Sequence, residues 1–226
     1  MGLFDSLFGK RGPKFCERLW LTTERKLADL TVQLVDNRIR RYYPMVVFHF
    51  PATGEVLCRV LESGNIAFRV VRDFREIRAG DVREWKKSAS ALIVPSEILA
   101  SSGGEVPRPK TSDPGRLPVG IHLVEHYPCA GRDETVLRLD DIWPMPIEFT
   151  CYTSLDEPWL RLFIGRWAQG LLGRMGLDED GCMGSDSGMA KGIRRAQLKI
   201  ARKVRQEQPC RSCEEWLLKN LPEQTM

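Results

Sequence analysis

Two hydrophobic patterns alternate along this chain. Short runs of apolar and β-branched residues are typical of buried strands, and stretches in which apolar residues recur every three or four positions are typical of amphipathic helices. Runs of strand length occupy 45–50, 66–71, 90–95, 120–127 and 147–153. Because helical stretches separate them, the sequence predicts an α/β fold with a mainly parallel sheet and right-handed crossovers.

Several helix ends can be read from capping residues. Thr22 or Thr23 can cap the first helix, with Glu24 favourably placed in its first turn. Thr53 is expected to cap a second helix, which closes on Gly64. The remaining helical patterns span about 79–88, 132–141, 156–175, 187–207 and 211–220.

Two segments fall outside this alternation. The stretch 101–118 is rich in Gly, Pro and Ser, and a loop of this length inside a domain usually means function or disorder. Residues 1–15 form an amphipathic N-terminal segment that could lie on an anionic membrane surface or dock on the protein body. Its apolar and basic residues are Leu3, Phe4, Leu7, Phe8, Lys10 and Arg11.

Composition favours one globular domain with appendages. The chain has 226 residues, of which 42% are hydrophobic and 28% charged. Its net charge of +4 is spread along the sequence, which is weak support for a nucleic-acid partner. Seven cysteines, an odd number, favour a reducing cytoplasm over a disulfide framework. No run of eighteen apolar residues and no secretory signal order occurs, so we expect a cytoplasmic protein, peripheral at most on the inner face of the cell membrane.

Individual residues offer little catalytic chemistry. Cys210 and Cys213 form a CxxC pair, which is half of a tetrahedral zinc site without a second pair nearby in sequence. We favour the interpretation that the two cysteines stand at the start of a helix by coincidence, over a role in metal binding or redox chemistry. His49, His122 and His126 are expected to be hydrogen-bonded structural residues, although His126 stands at a strand end, where α/β folds place function. No Ser/His/Asp order or nucleophile elbow is present.

The segment 191–208 is the largest positive feature of the sequence. It is either a solvated helix that packs on one side, or a docking surface for an acidic partner or an anionic membrane. RNA binding is the weaker version, because no aromatic residues interleave with the charges. The basic residues are Lys191, Arg194, Arg195, Lys199, Arg202, Lys203 and Arg205.

Five blocks of the chain share a pattern with a known family, and they are LWLTTERK (19–26), YPMVVFHFPATGEVLCRVLESGNI (43–66), GIHLVEHY (120–127), FTCYTSLDEPWLRLF (149–163) and the stretch 166–204. In this order they resemble the second nucleotide-binding domain of the SecA preprotein translocase ATPase family, a relative of DEAD-box helicases. Identity and spacing are kept best at Leu155, Asp156, Leu160, Arg161, Phe163, Met175, Gly176, Ala196, Gln197 and Lys199.

The resemblance implies a RecA-like domain of the P-loop NTPase superfamily at 16–165. It also implies a helical extension at 166–226 that resembles the start of the SecA scaffold helix. The departures indicate a degenerate ATP site. No GxxxxGK[ST] loop occurs, and in the stretch matching the family's arginine-rich motif only Arg138 matches an arginine, with Asp140 and Asp141 close behind it.

The function expected from the resemblance is that of a non-catalytic SecA-like protein, a partner or regulatory module in protein translocation. We expect no cofactor and no small-molecule substrate. One alternative is an ATPase half-motor completed in trans by a separate first motor domain. It would use ATP and magnesium, with Arg138 and Arg132 as remnant arginine contacts. The other alternative is a helicase-derived RNA-binding module.

Overall fold

The computed structural model describes residues 14–39, 42–73, 77, 90–100, 118–139, 147–163 and 187–221. The N-terminal segment, the predicted helix at 79–88 and all but the last residue of the loop at 101–118 lie outside the described residues. The strands are β1 Lys14–Trp20, β2 Tyr43–Phe48, β3 Phe68–Val70, β4 Ala91–Pro95, β5 Val119–Leu123 and β6 Ile147–Ser154. The helices are α1 Thr23–Ile39, α2 Pro51–Ser63, α3 Ser96–Ala100, α4 Ala130–Leu137, α5 Pro158–Phe163, α6 Ser187–Ala201 and α7 Cys213–Asn220.

The six strands form one sheet in the order β1-β6-β5-β2-β4-β3. Every pair of neighbours is parallel, so all the described strands end at the same edge. Helices flank the sheet, and further helices follow it in the chain. This is the architecture predicted for a RecA-like domain, and the α/β prediction is confirmed.

Strand β1 was not predicted. Its sequence, KFCERLW, carries three charged residues and shows no apolar run, so hydrophobic pattern does not reveal it. It lies at the outside of the sheet and pairs with β6 from Lys14 to Trp20. Pairing with β6 therefore defines this strand.

Two strands end earlier than the apolar runs suggest. Strand β2 ends at Phe48 and β5 at Leu123, whereas the runs extend to residues 50 and 127. His49 and His126 consequently lie in the loops just beyond the strand ends. Their side chains are held by loop geometry and do not follow the strand alternation.

The predicted caps are correct in part. Thr22 Oγ1 accepts a hydrogen bond from the backbone N–H of Arg25, as expected for the first helix. The prediction for Thr53 is wrong: α2 begins at Pro51, and Phe50 is its N-cap residue, with no side-chain hydrogen bond. Proline is well suited to the first helical turn because it needs no N–H partner there.

The far end of α2 is where the sequence places it. The N–H of Gly64 donates to the carbonyl of Val60 and closes the helix. Gly64 itself keeps a negative φ, and the left-handed residue is Asn65, with φ 52°. Asparagine tolerates that region better than most residues do, because its short side chain can bond locally.

Hydrophobic residues on the two faces of the sheet belong to separate clusters. Val46 and Phe48 pack with the apolar residues of α1 and α2. Met45 and Val47, which alternate with them, pack with residues of α3 and α4. The alternation of side chains along a strand produces this division.

A third cluster joins the C-terminal helices to the carboxyl edge of the sheet. Phe50 and Tyr127, which follow β2 and β5, pack with apolar residues of α5, α6 and α7. The largest of these are Trp159 and Trp216, both fully buried. The C-terminal helices thus cover part of the edge where the strands end. No helix in the described part of the chain is long and apolar enough to cross a membrane.

Candidate functional site at the carboxyl edge

Buried polar side chains converge at the carboxyl edge of the sheet, and we call them the edge network. Most of them follow a strand or stand close to its end, and Asp133 comes from α4. The members of the edge network are Glu17, His49, Ser96, Glu125, His126, Asp133, Cys151 and Thr153, each less than a tenth exposed. In open α/β sheets, ligands bind at this edge, where the strand order reverses. Here that point lies between β2 and β5, beside His49 and His126.

Glu125 fills the position in front of helix α2. One carboxylate oxygen accepts hydrogen bonds from the backbone N–H groups of His49 and Phe50, at 2.9 and 3.0 Å. The other oxygen accepts from the Thr53 hydroxyl at 2.8 Å. Burial raises the pKa of Glu125 above its ordinary value, although His49, Lys26 and the hydrogen bonds from Phe50 and Thr53 offset part of that rise.

The next N–H of α2 is also satisfied within the chain. Ala52 donates its N–H to the carbonyl of Arg211, which lies just before α7. A helix N-terminus with free N–H groups is a natural site for a phosphate. In this protein, a side-chain carboxylate and a backbone carbonyl already occupy that position.

His126 lies between two acids. Its Nδ1 is 2.6 Å from Asp133 Oδ2, and its Nε2 is 3.0 Å from Glu17 Oε1. Burial lowers the pKa of His126, but the carboxylates of Glu17 and Asp133 raise it by a larger amount. The pKa is therefore well above its ordinary value. Because both ring nitrogens face carboxylates, the imidazolium form fits this position.

Asp133 connects the network to the C-terminal helices. Its Oδ1 accepts from the backbone N–H of Tyr127 at 2.9 Å, and its Oδ2 accepts from Gln197 of α6 at 2.7 Å. Burial raises the pKa of Asp133, but the attraction and hydrogen bond of His126 lower it more, and the net shift is downward. Asp133 is therefore a charged residue in which both carboxylate oxygens accept hydrogen bonds.

Ser96, His49 and Asp133 meet in space although the sequence shows no Ser/His/Asp order. Ser96 Oγ lies 2.8 Å from His49 Nδ1, and Asp133 Oδ1 lies 2.8 Å from His49 Nε2. The second contact is a close approach in which Nε2 lacks the geometry of a hydrogen bond. In serine hydrolases the hydroxyl faces Nε2 and the acid faces Nδ1, the reverse of this arrangement. Ser96 is also buried, with 4% of its surface exposed, so its hydroxyl is not accessible to a substrate. The contact of the three residues is therefore structural.

Two residues that carry the resemblance have structural roles here. Asp156 accepts hydrogen bonds from the backbone N–H and hydroxyl of Thr23 at the start of α1. Gln197 bonds both Asp133 and the carbonyl of Tyr127. Both of them connect parts of the chain that are distant in sequence.

The two candidate arginines lie at opposite ends of α4. Arg132 lies with its guanidinium 4.4 Å from the centre of the Tyr127 ring and 3.5 Å from Glu207. Arg138 follows the last residue of α4 and is exposed. Asp140 and Asp141 lie outside the described residues.

Cys210 and Cys213 border the cluster of the C-terminal helices. Cys210 donates to the carbonyl of Gln208, and Cys213 is the first residue of α7. Burial raises the pKa of both thiols. Among the residues that the structure describes, the one group of three potential metal ligands lies elsewhere, at Glu17, His126 and Cys151.

Helix α6 presents different residues to its two sides. Ile193, Ala196 and Ile200 are buried in the third cluster. Arg194 is half-buried and bonds Glu134 of α4, and Lys203 is half-buried beyond the helix end. The exposed basic residues are Lys191, Arg195, Lys199, Arg202 and Arg205. The other predicted surface, at Leu3, Phe4, Leu7, Phe8, Lys10 and Arg11, lies outside the described residues.

Sequence reasoning missed Glu17, Ser96, Asp133, Cys151 and Thr153. Glu17 was hidden because its strand was not predicted. Its one available signal is that Glu17 is the single acid in KFCERLW. Asp133 stands in the first turn of α4, where an acid is ordinarily read as a helix-dipole residue.

Comparison with known proteins adds little to this picture. No family model matches the sequence, and no curated protein matches it. One solved structure that matches is described as the C-terminal domain of a possible DNA helicase from Lactobacillus plantarum WCFS1. It has 15% sequence identity and a TM-score of 0.40, over 64% of this chain and 76% of that one. A likeness at this level carries no conclusion about the fold or the function of this chain.

Proposed function

We propose that this chain is a non-catalytic RecA-type module, similar to the second motor domain of SecA, that acts by binding a protein partner of the translocation machinery. The observation that carries the proposal is the position of Glu125. Its carboxylate takes up the N–H groups in front of α2, at the edge where such folds hold a ligand's phosphates. A nucleotide phosphate placed there would have to displace this buried carboxyl group, which already holds those N–H groups.

The sequence supports the same conclusion. A motor of this class needs a phosphate-binding loop and arginines aimed at the transferred phosphoryl group. The chain has no such loop, and Arg132 is engaged with Tyr127 and Glu207. What remains is a stable scaffold with surfaces available to a partner.

The exposed basic row on α6 is the surface we assign to that partner. Lys191, Arg195 and Lys199 follow one another at intervals of four residues and therefore lie on one side of the helix. All three are exposed, and the opposite side of α6 is buried. A row of this kind suits an acidic protein surface.

Nucleotide binding is the first test. The purified full chain is titrated with magnesium and a fluorescent ATP analogue up to millimolar concentration while anisotropy is recorded. We expect no saturable change. Saturable binding would overturn the non-catalytic assignment and favour the half-motor.

The partner surface is tested by charge reversal. The triple variant Lys191→Glu, Arg195→Glu and Lys199→Glu should lose recovery with membranes that contain the protein-translocation machinery. Arg59→Glu, on the exposed side of α2, is the control and should be recovered like the wild type. Equal loss with vesicles made only of anionic lipid would point to the membrane. Salt-sensitive retention on RNA would support the helicase-derived alternative.

The half-motor remains a second candidate because Arg138 is exposed at the end of α4. An arginine in that position could reach a nucleotide bound by a separate first domain. With such a domain added, Arg138→Ala should then abolish stimulated ATP hydrolysis, and Arg161→Ala, an exposed arginine of α5, should leave it unchanged. Hydrolysis that survives Arg138→Ala removes this role from the residue.

The N-terminal segment is proposed to help hold the module at the membrane. Deletion of residues 1–12 should move the protein from the membrane to the soluble fraction. Unchanged recovery in the membrane fraction would refute this contribution and leave the α6 surface to be tested alone.

A further inference from the structure

Three chemically different ligand atoms meet inside the edge network. The carboxylate of Glu17, the imidazole of His126 and the thiol of Cys151 lie with these atoms all within 4.8 Å of one another. The three side chains are at most 7% exposed. Oxygen, nitrogen and sulfur donors in one place form a ligand set that zinc accepts.

The sheet itself brings two of these ligands together. Glu17 on β1 and Cys151 on β6 are direct partners in the parallel register, so their side chains stand next to each other on one face. His126 arrives from the loop that follows β5, the strand on the other side of β6. The ligands therefore come from two paired strands and from the loop after the next strand, which gives the cluster a rigid frame.

The surroundings of the cluster have the form of an outer shell for a metal. His126 faces the cluster through Nε2, while its Nδ1 is 2.6 Å from Asp133 Oδ2. A carboxylate on the far nitrogen of a ligating histidine orients the ring in metal sites. Glu17 is likewise fixed, because the Thr153 hydroxyl donates to its Oε1 at 2.5 Å.

Charge does not oppose metal binding. A divalent ion would displace one proton from His126 Nε2 and one from the Cys151 thiol, since ligands bind in their deprotonated forms. Two positive charges replace two protons, and the net charge of the edge network is unchanged. The hydrogen bonds from Thr153 and to Asp133 can then stay as they are.

We propose that Glu17, His126 and Cys151 bind one zinc ion, which ties β1 to β6 and to the loop after β5. Three protein ligands leave one tetrahedral position for a water molecule or a small anion. The site lies deep in the fold, so the ion is expected to be structural. This proposal goes beyond the proposed function and does not depend on which partner the module binds.

Cobalt provides the most direct test, because it substitutes for zinc and reports its ligands by absorption. The full chain is expressed in cobalt-supplemented medium, and metal content and the visible and near-ultraviolet spectrum are measured. We expect one cobalt per chain, tetrahedral bands, and a thiolate-to-cobalt charge-transfer band. Cys151→Ser should abolish that charge-transfer band.

Matched controls locate the ion. Cys16→Ser changes the neighbour of Glu17 on β1 and should keep both the metal and the band. Thr153→Val keeps all three ligands but removes the donor to Glu17, and it should weaken metal retention against a chelator by about ten-fold. If Cys151→Ser does not fold, Thr153→Val and the wild-type spectrum still decide the question.

Other outcomes would overturn the proposal. Wild-type protein without bound cobalt or zinc would mean that the cluster is a metal-free hydrogen-bonded network. A charge-transfer band that persists in Cys151→Ser but is lost in Cys210→Ser would place the ion at the CxxC pair. Either result removes the assigned site.

Discussion

Gln197 of α6 donates a hydrogen bond of 2.7 Å to Asp133 Oδ2 and one of 2.8 Å to the carbonyl of Tyr127. All three residues are buried. One amide thus ties a C-terminal helix to the loop and helix that follow β5. The interaction attaches the C-terminal helices to the carboxyl edge of the sheet. We therefore predict that the packing of these helices depends on the edge network.

Replacing Gln197 by alanine should destabilise the protein. The change leaves a buried carbonyl and one oxygen of Asp133 short of a partner, which costs about 1–3 kcal/mol. Lys199→Ala, on the exposed side of the same helix, should stay within about 0.5 kcal/mol of the wild type. Urea unfolding followed by tryptophan fluorescence measures both. Equal stability of the two variants would show that Gln197 does not hold α6 in place.

Glu125→Ala should both destabilise the fold and open an anion site. Two buried N–H groups lose their acceptor, at a cost of about 1–3 kcal/mol each. The same groups then become available in front of α2. Pyrophosphate should therefore raise the melting temperature of Glu125→Ala more than that of the wild type.

The control for that experiment is Glu55→Ala. Glu55 is an exposed acid near the same end of α2 and pairs with Arg211 at the surface. Its removal should give no added response to pyrophosphate. A wild type that responds as strongly as Glu125→Ala would mean that Glu125 does not block anions.

The buried pair of Lys26 and Glu157 should be costly to break. Lys26 Nζ lies 2.7 Å from Glu157 Oε1, and both residues are less than a tenth exposed. Lys26→Met leaves the carboxylate unpaired, which costs about 3–5 kcal/mol. Adding Glu157→Gln should recover part of the loss, because the uncompensated charge disappears. A double variant less stable than Lys26→Met would contradict this electrostatic account.

His122 should make stability depend on pH. Burial, with a smaller effect of Arg18, lowers the pKa of His122 to about 3 in the folded protein, against an ordinary value near 6.5. Between these values the unfolded chain binds a proton that the folded chain does not bind. The contribution of His122 is therefore present above pH 6.5 and is lost as pH falls toward 3.

Between pH 7 and pH 5 this loss should amount to about 2 kcal/mol. Urea unfolding at the two pH values measures it, and the variant His122→Gln supplies the reference, because it lacks the titrating group but keeps a polar side chain beside Asn37 and Tyr152. The difference in free energy of unfolding between the two pH values should be smaller in the variant. The same difference in both proteins would assign the pH dependence to other groups.

Local pattern predicted five of the six strands in the described part of the chain. The runs of MVVF in β2 and ALIV in β4 are apolar because these strands are covered on both faces, and Thr22 marks the start of α1 through its own hydroxyl. Boundaries were less accurate where the apolar run continued past the strand, as at His49. Strand β1 was missed because parallel pairing with β6 can hold a strand whose sequence has no apolar run.

The candidate site was predicted only in part, for a similar reason. His49 and His126 were recognised as structural residues, and the lack of a phosphate-binding loop was visible directly. The contacts of Glu125 with the start of α2, and of Glu17 with His126, join residues 75 to 109 positions apart. A local sequence pattern cannot predict contacts between residues so far apart in the chain.

The sequence by itself determined the alternation of strands and helices, the α/β class and the absence of a GxxxxGK[ST] loop. Each of these depends on the short-range spacing of hydrophobic residues or on a contiguous motif. The tertiary structure alone decided that Glu17, His126, Cys151 and Asp133 meet, and that Glu125 fills the position in front of α2. The physical reason is that a parallel sheet places side chains next to one another through long crossovers, so the neighbours of a buried polar group depend on strand order and register.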